Sequence, residues 1–427
     1  MIVMSSNNFP RVFLKNKEEK EIQQGFPWVF DNEISHIKHR ADNTDDKSEW
    51  KNEDLASCSV SDGATVEVYT KAGGFLATGI INKKSKITVR LIGSEHADLI
   101  MADTASYYEK KILDAYNMRR MFYSDADSYR LVFGEADFIP GLICERFCDE
   151  NGKVIIVVQF LSLSCEVFRA DILAALTRVC KPAAIYERSD ASVRDKEGLP
   201  QHSGWLTGNL SDTQITIVEN GIKLGVDLAN GQKTGYFLDQ KFNRIAAAAF
   251  CKGKTVLDTF THTGAFGLNA FKNGAREVTS VDISPEAVEM VEHNIKLNGA
   301  GSVMKAVCAD VFDLLKEYES QGRKFDVIIL DPPAFTKSAK MIEKAYGGYK
   351  EINLRALRLL NEGGILVTCS CSYFMETHMF CDMLMHAAMD SHKRIQILEK
   401  RGAGPDHPVL LGYPKSEYLK CVVCRVL

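Results

Sequence analysis

The amino-acid sequence predicts an α/β protein whose C-terminal half is a doubly wound, mostly parallel sheet, preceded by a β-rich domain and a central α+β domain. The main observation is the rhythm after Lys241, where apolar runs of strand length alternate with helical stretches. This pattern is typical of parallel sheets covered by helices on both faces. Short β-branched runs before residue 97 indicate the β-rich domain. A length of 427 residues fits several domains.

The first predicted domain covers residues 1–97. Alternation in Arg11–Lys15 and the β-branched runs Ala64–Thr70 and Lys86–Ile92 predict strands, with a turn at Gly73-Gly74. Asp42–Asp54 holds six acidic residues, two basic residues and a single aromatic, so it is predicted to be a solvated loop. The loop accounts for the whole net charge of −4, which leaves the rest of the chain neutral. The total charge therefore does not exclude a nucleic-acid partner.

The second predicted domain, residues 98–212, mixes helices and strands. Helical spacing of apolar residues predicts helices over Ala105–Tyr123 and Cys165–Val179. The Asn151-Gly152 pair is typical of a hairpin turn. Apolar runs predict strands at Tyr129–Phe133, Ile139–Phe147, Val154–Leu161 and Ala183–Glu187.

The third predicted domain, residues 213–427, opens with a hairpin around Asn220-Gly221 and continues with alternating strands and helices. The predicted strands are Gln214–Glu219, Ile222–Asp227, Thr255–Phe260, Glu277–Asp282, Val303–Ala309, Phe325–Asp331, Gly364–Ser370 and Tyr418–Val426. The predicted helices are Asn243–Phe250, Ala265–Lys272, Pro285–Leu297, Tyr349–Leu360 and Glu376–Asp390.

Composition narrows the class of protein. No apolar run reaches the roughly 18 residues of a membrane span, and the N-terminus lacks the pattern of a signal peptide. Twelve scattered cysteines indicate reduced thiols and a cytoplasmic location, with Cys165, Cys251 and Cys308 expected to be buried. Cys421 and Cys424 have CxxC spacing without a second pair, so we interpret them as residues of a terminal strand and predict no metal site.

The ends of the predicted parallel strands carry acidic residues. In such sheets ligands bind beyond the carboxyl ends of the strands. Asp258 begins a glycine-containing turn to a helix, Asp282 ends the second strand, and Asp310 with Val311 ends the third. Asp282 is placed to accept both hydroxyls of a ribose, while Ser284 caps the next helix. Together these acids favour a nucleoside with a cationic tail, and S-adenosylmethionine fits that description.

The last two strands before the C-terminal region end in residues suited to hold and attack a base. Asp331-Pro332-Pro333-Ala334-Phe335 presents a carboxylate and carbonyls on a rigid turn, with an aromatic ring for stacking. The following strand ends in Cys369 and Cys371, which point to the same side because side chains alternate along a strand. The pocket is therefore predicted to contain a thiol beside a site for a planar, amino-bearing base.

These segments resemble the cytosine-C5 methyltransferases of large-subunit ribosomal RNA that carry an N-terminal PUA domain. The resemblance covers nearly the whole chain, and its specificity comes from the order and spacing of several motifs. They are Gly25–Phe30, Tyr129–Asp137, Pro140–Leu142, Tyr186–Asp190, Gln232–Gln240, Asp258–Gly267, Asp331–Ser338 and Cys369–Ser372. The resemblance implies a PUA domain, a central linking domain and a Rossmann-like class I methyltransferase domain. His262, Lys241 and the acidic loop depart from the family pattern.

The resemblance also implies roles for individual residues. The cofactor is expected to be S-adenosylmethionine, the catalytic residues Cys371 and Asp331, and the base-binding residues Pro332, Pro333 and Phe335. The residues expected around the cofactor are Phe237, Asp239, Gln240, Asp258, Phe260, Thr263, Gly264, Phe266, Asp282, Ile283, Ser284, Asp310 and Val311.

The chemistry of C5 methylation explains this set of residues. Cytosine C5 is a poor nucleophile until a thiolate adds at C6. Cys371 is the expected thiolate, with Cys369 as the alternative, and Asp331 is expected to hold the base edge and favour protonation at N3. The residue that removes the C5 proton is not identified. Because C5 and C6 are inaccessible in a stacked helix, the target base must be flipped out or unpaired.

Two other functions stay open. An exocyclic-amine methyltransferase acting on guanine or adenine would also use an Asp-Pro-Pro turn, although Ala334 intervenes before the aromatic residue. A non-catalytic RNA-binding protein could keep the same fold. Ribosomal RNA of the 23S type is the expected partner, free or within an assembling subunit; no membrane partner is expected, and a homodimer is left open. Basic residues that could face RNA are Lys83, Lys84, Lys86, Arg90, Arg119, Arg120, Lys337 and Lys340.

Overall fold

A computed structural model of the chain describes residues 9–40, 49–208, 210, 212–231, 235–336 and 338–427. They form two compact units. The first comprises Met1–Cys148, Gly152–Ser211 and Asp406–Ser416, and the second Asp149–Asn151, Asp212–Pro405 and Glu417–Leu427. Among the described residues, no helix combines the length and the apolar character that a membrane span requires.

The first unit contains two sheets. Its strands are β1 Arg11–Leu14, β2 Trp28–Phe30, β3 Ile34–Arg40, β4 Trp50–Glu53, β5 Thr65–Tyr69, β6 Phe75–Ile81, β7 Ile87–Gly93, β8 Tyr129–Phe133, β9 Leu142–Cys148, β10 Val154–Phe160, β11 Ala184–Ser189 and β12 His202–Thr207. Its helices are α1 Glu19–Gln23, α2 Ala97–Met101, α3 Thr104–Arg119, α4 Leu163–Val167, α5 Arg169–Cys180 and α6 Val193–Glu197.

The N-terminal sheet has the strand order β2-β7-β6-β5-β1-β3-β4. Alternate residues such as Val12, Ile37 and Val68 point into one apolar core, which is the reason that the β-branched runs form strands. The prediction that Asp42–Asp54 is entirely a loop is wrong at its C-terminal end, where β4 pairs with β3. Residues 42–48 of that prediction lie outside the described residues.

The second sheet of this unit has the order β12-β11-β10-β9-β8. Two basic residues expected to face RNA are instead buried in its neighbourhood. Arg119 is 0% exposed, and one of its guanidinium nitrogens lies 2.7 Å from a carboxylate oxygen of Asp137. Arg90 is bonded to Glu135 at 3.0 Å and to Glu197 at 2.9 Å. Their carboxylate partners come from distant parts of the sequence, so local sequence gives no sign of the burial.

The second unit is the α/β domain that the sequence predicts. Its strands are β13 Gln214–Glu219, β14 Ile222–Asp227, β15 Thr255–Thr259, β16 Glu277–Asp282, β17 Met304–Cys308, β18 Phe325–Leu330, β19 Leu360–Ser370, β20 Ile395–Arg401 and β21 Lys420–Val426. Its helices are α7 Lys241–Ala248, α8 Ala265–Lys272, α9 Pro285–Leu297, α10 Val311–Ser320, α11 Ile342–Leu359 and α12 Thr377–Asp390.

A seven-stranded sheet of order β17-β16-β15-β18-β19-β21-β20 forms the centre of this unit. The strands β17, β16, β15, β18 and β19 run parallel, and β21 pairs antiparallel with β19. Strand β20 escapes sequence prediction because it lies at the sheet edge and its residues are mostly polar and exposed. The expectation that Cys308 is buried is wrong, since its side chain is exposed at the end of β17.

The polarity of the sheet decides where a ligand can bind. The parallel strands β15, β16, β17, β18 and β19 all end at the same edge. Helices α10, α11 and α12 pack a large apolar core against β18 and β19, which includes Leu315, Tyr349 and Phe380. This core holds the sheet rigid, so the loops after the strands are the part free to carry function.

Candidate active site

The loop after β15 has an unusual backbone. Phe260, His262 and Gly264 have φ angles of 56°, 54° and 78°, in the left-handed region that residues other than glycine rarely adopt. Such conformations persist when surrounding contacts impose them, and they concentrate at functional sites. The loop therefore presents its backbone and side chains at the strand ends in one fixed arrangement.

Asp258 imposes this arrangement from beneath the loop. It is 0% exposed, and one carboxylate oxygen accepts hydrogen bonds from the Thr261 hydroxyl, the Gly267 amide at 2.9 Å and the Ser280 hydroxyl at 3.1 Å. Burial raises the pKa of Asp258 to about 6, although these hydrogen bonds act in the opposite direction. A Cβ atom at Gly267 would lie 2.5 Å from the Ser280 hydroxyl, which explains why the first turn of α8 contains a glycine at this position.

Asp282 and Ser284 shape the end of β16. The two carboxylate oxygens of Asp282 accept hydrogen bonds from the backbone amides of His262 at 2.9 Å and Ser284 at 3.1 Å. Each oxygen keeps a second lone pair, so the carboxylate can also accept two hydroxyl groups of a ligand. Ser284 caps α9 through the Ala287 amide at 3.1 Å. Its predicted capping role is thus confirmed.

Asp310 and the adjacent apolar residues line the next strand end. Asp310 caps α10 by accepting a hydrogen bond from the Phe312 amide at 2.7 Å. Val311 is 2% exposed, whereas Ile283 is 63% exposed at the rim. An isoleucine with so much exposed surface beside a carboxylate is suited to cover the flat face of a purine.

Asp331, at the end of β18, is oriented by a chain of amide side chains. Gln240 Nε2 donates to Asp331 Oδ1 at 2.9 Å, and Gln240 Oε1 accepts from Asn243 Nδ2 at 2.7 Å. Asn243 Oδ1 in turn accepts from Arg401 Nε at 2.9 Å. Because an arginine can only donate, the direction of every bond in the chain is fixed. The Gln240 N–H group therefore always faces the Asp331 carboxylate.

The prolines and the aromatic ring after Asp331 differ in exposure. Pro332 is buried and Pro333 exposed. The ring of Phe335 lies 4.5 Å from that of Tyr349, and Gly348 leaves room for it, since a Cβ atom there would lie 3.2 Å from the ring. Packing on one side fixes the Phe335 ring and leaves part of it to line the cavity.

The two cysteines at the end of β19 lie in different surroundings. Cys371 is half-buried, lines the cavity, and its sulfur lies 3.9 Å from the Pro332 carbonyl oxygen. Cys369 is 0% exposed and faces Cys421 in the neighbouring strand. The hydrogen bond with Cys421 and burial raise the pKa of the Cys369 thiol well above its ordinary value. Cys371 is the more accessible thiol of the two.

These strand ends surround one cavity of about 330 Å³ in the second unit, within the range of small-molecule sites. The predicted residues that line it are Cys371, Asp331, Phe237, Asp239, Gln240, Phe260, Thr263, Phe266, Asp282, Ile283, Ser284, Asp310, Val311, Pro332, Pro333 and Phe335. Asp258 and Gly264 do not line it. Asp258 lies in β15 beneath the loop and Gly264 lies within the loop, so their expected contact with the cofactor stays a prediction.

Several residues that the sequence analysis missed also line the cavity: Arg244, Thr261, His262, Ala265, Ala287, Phe312 and Leu419. The buried guanidinium group of Arg244 donates through Nη1 to Glu219 Oε1 at 2.7 Å and through Nη2 to the Phe237 carbonyl oxygen at 2.7 Å. Leu419 precedes the C-terminal strand β21. Local sequence gives no signal for either residue, because the buried ion pair places Arg244 at the cavity and the strand pairing of β21 places Leu419 there.

The carboxylates and apolar side chains of the cavity fit S-adenosylmethionine. Two carboxylates at adjacent strand ends and apolar side chains between them suit a ribose and a purine, and Asp239 with Asp331 adds negative charge that suits a cationic sulfonium. The narrow space around Gly267 also shows that the backbone beneath the cavity is closely packed.

Comparison with known proteins agrees with this geometry. Residues 149–412 match the family described as S-adenosylmethionine-dependent methyltransferase, and residues 12–93 match the PUA-like domain family. Ribosomal RNA large subunit methyltransferase I of Klebsiella pneumoniae strain 342 is 36% identical over 99% of this chain and 100% of its own length. The relative of the same name from Photobacterium profundum is 37% identical over 97% of this chain and 99% of its own length.

Solved structures share the fold. A candidate SAM-dependent methyltransferase from Streptococcus mutans superposes with a TM-score of 0.77 at 23% identity, covering 97% of this chain and 99% of its own. A candidate methyltransferase complexed with SAH gives a TM-score of 0.78 at 23% identity and the same coverage. The protein is an enzyme that uses S-adenosylmethionine. The chain therefore belongs to the S-adenosylmethionine-dependent methyltransferase family and carries an N-terminal PUA-like domain.

Proposed function

We propose that this enzyme methylates C5 of a cytosine in large-subunit ribosomal RNA through a covalent bond between Cys371 and C6 of the base. The observation that carries the proposal is the presence of Cys371 and Asp331 in the wall of the same cavity as the cofactor-binding acids. The choice of RNA is supported by the relatives at 36% and 37% identity, which are named ribosomal RNA large subunit methyltransferase I.

Within this proposal, the residues at the ends of β15, β16 and β17 hold the cofactor. Asp282 binds the ribose, while Ile283, Asp310 and Val311 surround the adenine. Phe237, Asp239 and Phe266 border the methionine end. S-adenosylmethionine supplies an electrophilic methyl group to the cavity.

The protein side chains make the base reactive. The Cys371 thiolate forms a bond to C6, and the electron pair of the C5–C6 double bond moves onto C5 and the ring, which makes C5 nucleophilic. Asp331 accepts a hydrogen bond from the base edge and favours protonation at N3, because its carboxylate is already oriented by Gln240. After methylation, loss of the C5 proton restores the double bond and releases the cysteine as thiolate.

Accessibility supports Cys371 rather than Cys369 as the nucleophile. A thiol must be ionised to attack, and the pKa of Cys369 is raised well above its ordinary value by its hydrogen bond with Cys421 and by burial. Cys371 is half-buried and adjoins the turn that would hold the base. The substrate must therefore reach Cys371 with its base flipped out or unpaired.

Mass spectrometry of nucleosides tests the proposed function. Ribosomal RNA from a strain that lacks the gene is incubated with the purified enzyme and labelled S-adenosylmethionine, both as free RNA and as isolated large-subunit particles. We expect label in 5-methylcytidine, and the fragment that carries it identifies the nucleotide. Label in N²-methylguanosine or N⁶-methyladenosine would instead establish the exocyclic-amine alternative. RNA binding without any transfer of label would support the alternative that the protein binds RNA without catalysing methylation.

A further inference from the structure

A buried lysine lies beside the proposed nucleophile. Lys420 begins β21, pairs with Ser370 of β19 in the sheet and is 5% exposed. Its ammonium group donates to the carbonyl oxygens of Ser372 at 2.6 Å and Tyr418 at 2.8 Å. Ser372 directly follows Cys371, so the side chain fixes the backbone next to the reactive sulfur.

A buried ammonium group needs nearby groups that stabilise its charge, because removing a charge from water costs free energy. Two backbone carbonyls use two of its three N–H donors, which leaves the positive charge without a bonded carboxylate among the described residues. Burial is the main cause that lowers the pKa of Lys420, and its interactions with Cys371, Glu417 and Glu376 raise it in that order. The Ser372 carbonyl that Lys420 binds adjoins Cys371, so a thiolate at Cys371 is an anion that this lysine can stabilise.

We infer that Lys420 is a positioning residue that holds the Cys371 thiol partly ionised at neutral pH and fixes its loop for attack on the base. The inference rests on the proposed function in one respect only, the role of the thiolate as the nucleophile that attacks the base. The ionisation itself is a property of the enzyme without RNA. A free cysteine has a pKa of about 8.5 and is only a few per cent thiolate at pH 7, so a neighbouring cation increases the reactive fraction.

The other groups around the thiol act in different directions. Asp331 lines the same cavity and opposes ionisation of Cys371, as does burial. Tyr349 contacts Ser372 through its hydroxyl at 3.0 Å, and burial raises its pKa, so it stays neutral. Cys369 stays a thiol for the reason given above. Burial lowers the pKa of Lys420 to about 8, which still leaves it mostly charged at pH 7. Lys420 therefore acts on the thiol in the direction opposite to Asp331.

The test is the pH dependence of Cys371 alkylation by iodoacetamide, measured on the full-length enzyme without RNA. Cys308→Ser serves as the background because Cys308 is exposed and would compete, and peptide mass spectrometry follows Cys371 alone. We expect a midpoint below about 8.5. Lys420→Met should move it up by about one unit or more, which means about tenfold slower alkylation at pH 7. Lys420→Arg, which keeps the charge, should stay near the unsubstituted enzyme.

The unsubstituted enzyme keeps the test decisive if Lys420→Met fails to fold, because a midpoint at or above about 8.5 would itself overturn the inference. Equal midpoints for the unsubstituted enzyme and Lys420→Met would overturn it as well. A failure of the proposed function would instead show in the nucleoside measurement, as label outside C5, whatever the alkylation midpoints are.

Discussion

Replacing Gln240 by glutamate tests the hydrogen-bond chain that orients Asp331. Gln240 Nε2 lies 2.9 Å from Asp331 Oδ1, while its oxygen faces Asn243. In Gln240→Glu a carboxylate oxygen replaces the donor, and two negative charges meet at that distance. At an effective dielectric constant of about 20 their repulsion amounts to about 6 kcal/mol, equivalent to a rise of about four units in the pKa of the pair. The pair therefore holds one proton near neutral pH.

The sign of the pH effect follows from the raised pKa. Stability that depends on the bound proton is present at low pH and is lost as the pH rises through the folded-state pKa of the pair. We expect the melting temperature of Gln240→Glu to fall further below that of the unsubstituted enzyme as the pH increases from 6 to 9. Because the shared proton neutralises the carboxylate proposed to hold the base edge, kcat/KM for methyl transfer should fall at least tenfold at pH 7.5.

Gln201→Glu is the matched control. Gln201 Nε2 also donates to an aspartate, Asp195 Oδ1 at 3.1 Å, but at an exposed position of the first unit. Water screens the same pair of charges there, so activity and melting temperature should change little. If Gln240→Glu followed the melting curve of the unsubstituted enzyme across this pH range and kept kcat/KM within twofold, the proposed orientation of Asp331 by Gln240 would be refuted.

Three further predictions follow from other contacts. Asp282→Ala should weaken SAH binding by about 10- to 100-fold in calorimetry, since charge-assisted hydrogen bonds are worth about 1.5–3 kcal/mol each; unchanged affinity would remove Asp282 from the site. The pKa of Asp258, about 6 in the folded protein, means that about 3 kcal/mol of stability is lost as the pH rises from about 4 through 6. Asp258→Asn should flatten this part of the stability curve in chemical denaturation, and an identical pH slope in both proteins would contradict the assignment. Arg119→Ala leaves Asp137 buried without its cation and should cost the first unit about 3–5 kcal/mol; a loss below about 1 kcal/mol would mean that Arg119 is solvated.

The parallel sheet was predictable because strands buried on both faces leave continuous apolar runs in the sequence. The acids at the strand ends, Asp282 and Asp310, could be found for the same reason, since a strand end marks a ligand-binding edge. The supporting role of Asp258 could not be found. It depends on three donors that come together only when the loop has folded.

Features that depend on contacts between residues far apart in the sequence could not be predicted from the sequence. Arg119 is expected to face RNA, yet its side chain is buried. Its guanidinium group donates to the Asp137 carboxylate and, at 2.7 Å, to the carbonyl oxygen of Asp406. Strand β20 mixes three aliphatic residues with four polar ones, has no fully buried position, and pairs with β21 at the sheet edge. Lys420 likewise reads as a polar residue at the start of a strand, and only its pairing with β19 brings it to Cys371.

A covalent trapping experiment tests whether Cys371 forms a bond with C6 of the target cytosine. RNA that contains 5-fluorocytidine at the modified position cannot lose a proton from C5, so the bond between enzyme and C6 should persist after methylation. We predict a denaturation-resistant adduct whose RNA-linked peptide contains Cys371, absent in Cys371→Ala and retained in Cys369→Ala. An adduct that forms fully in Cys371→Ala, or 5-methylcytidine made at the normal rate by that variant, would show that Cys371 is not the nucleophile.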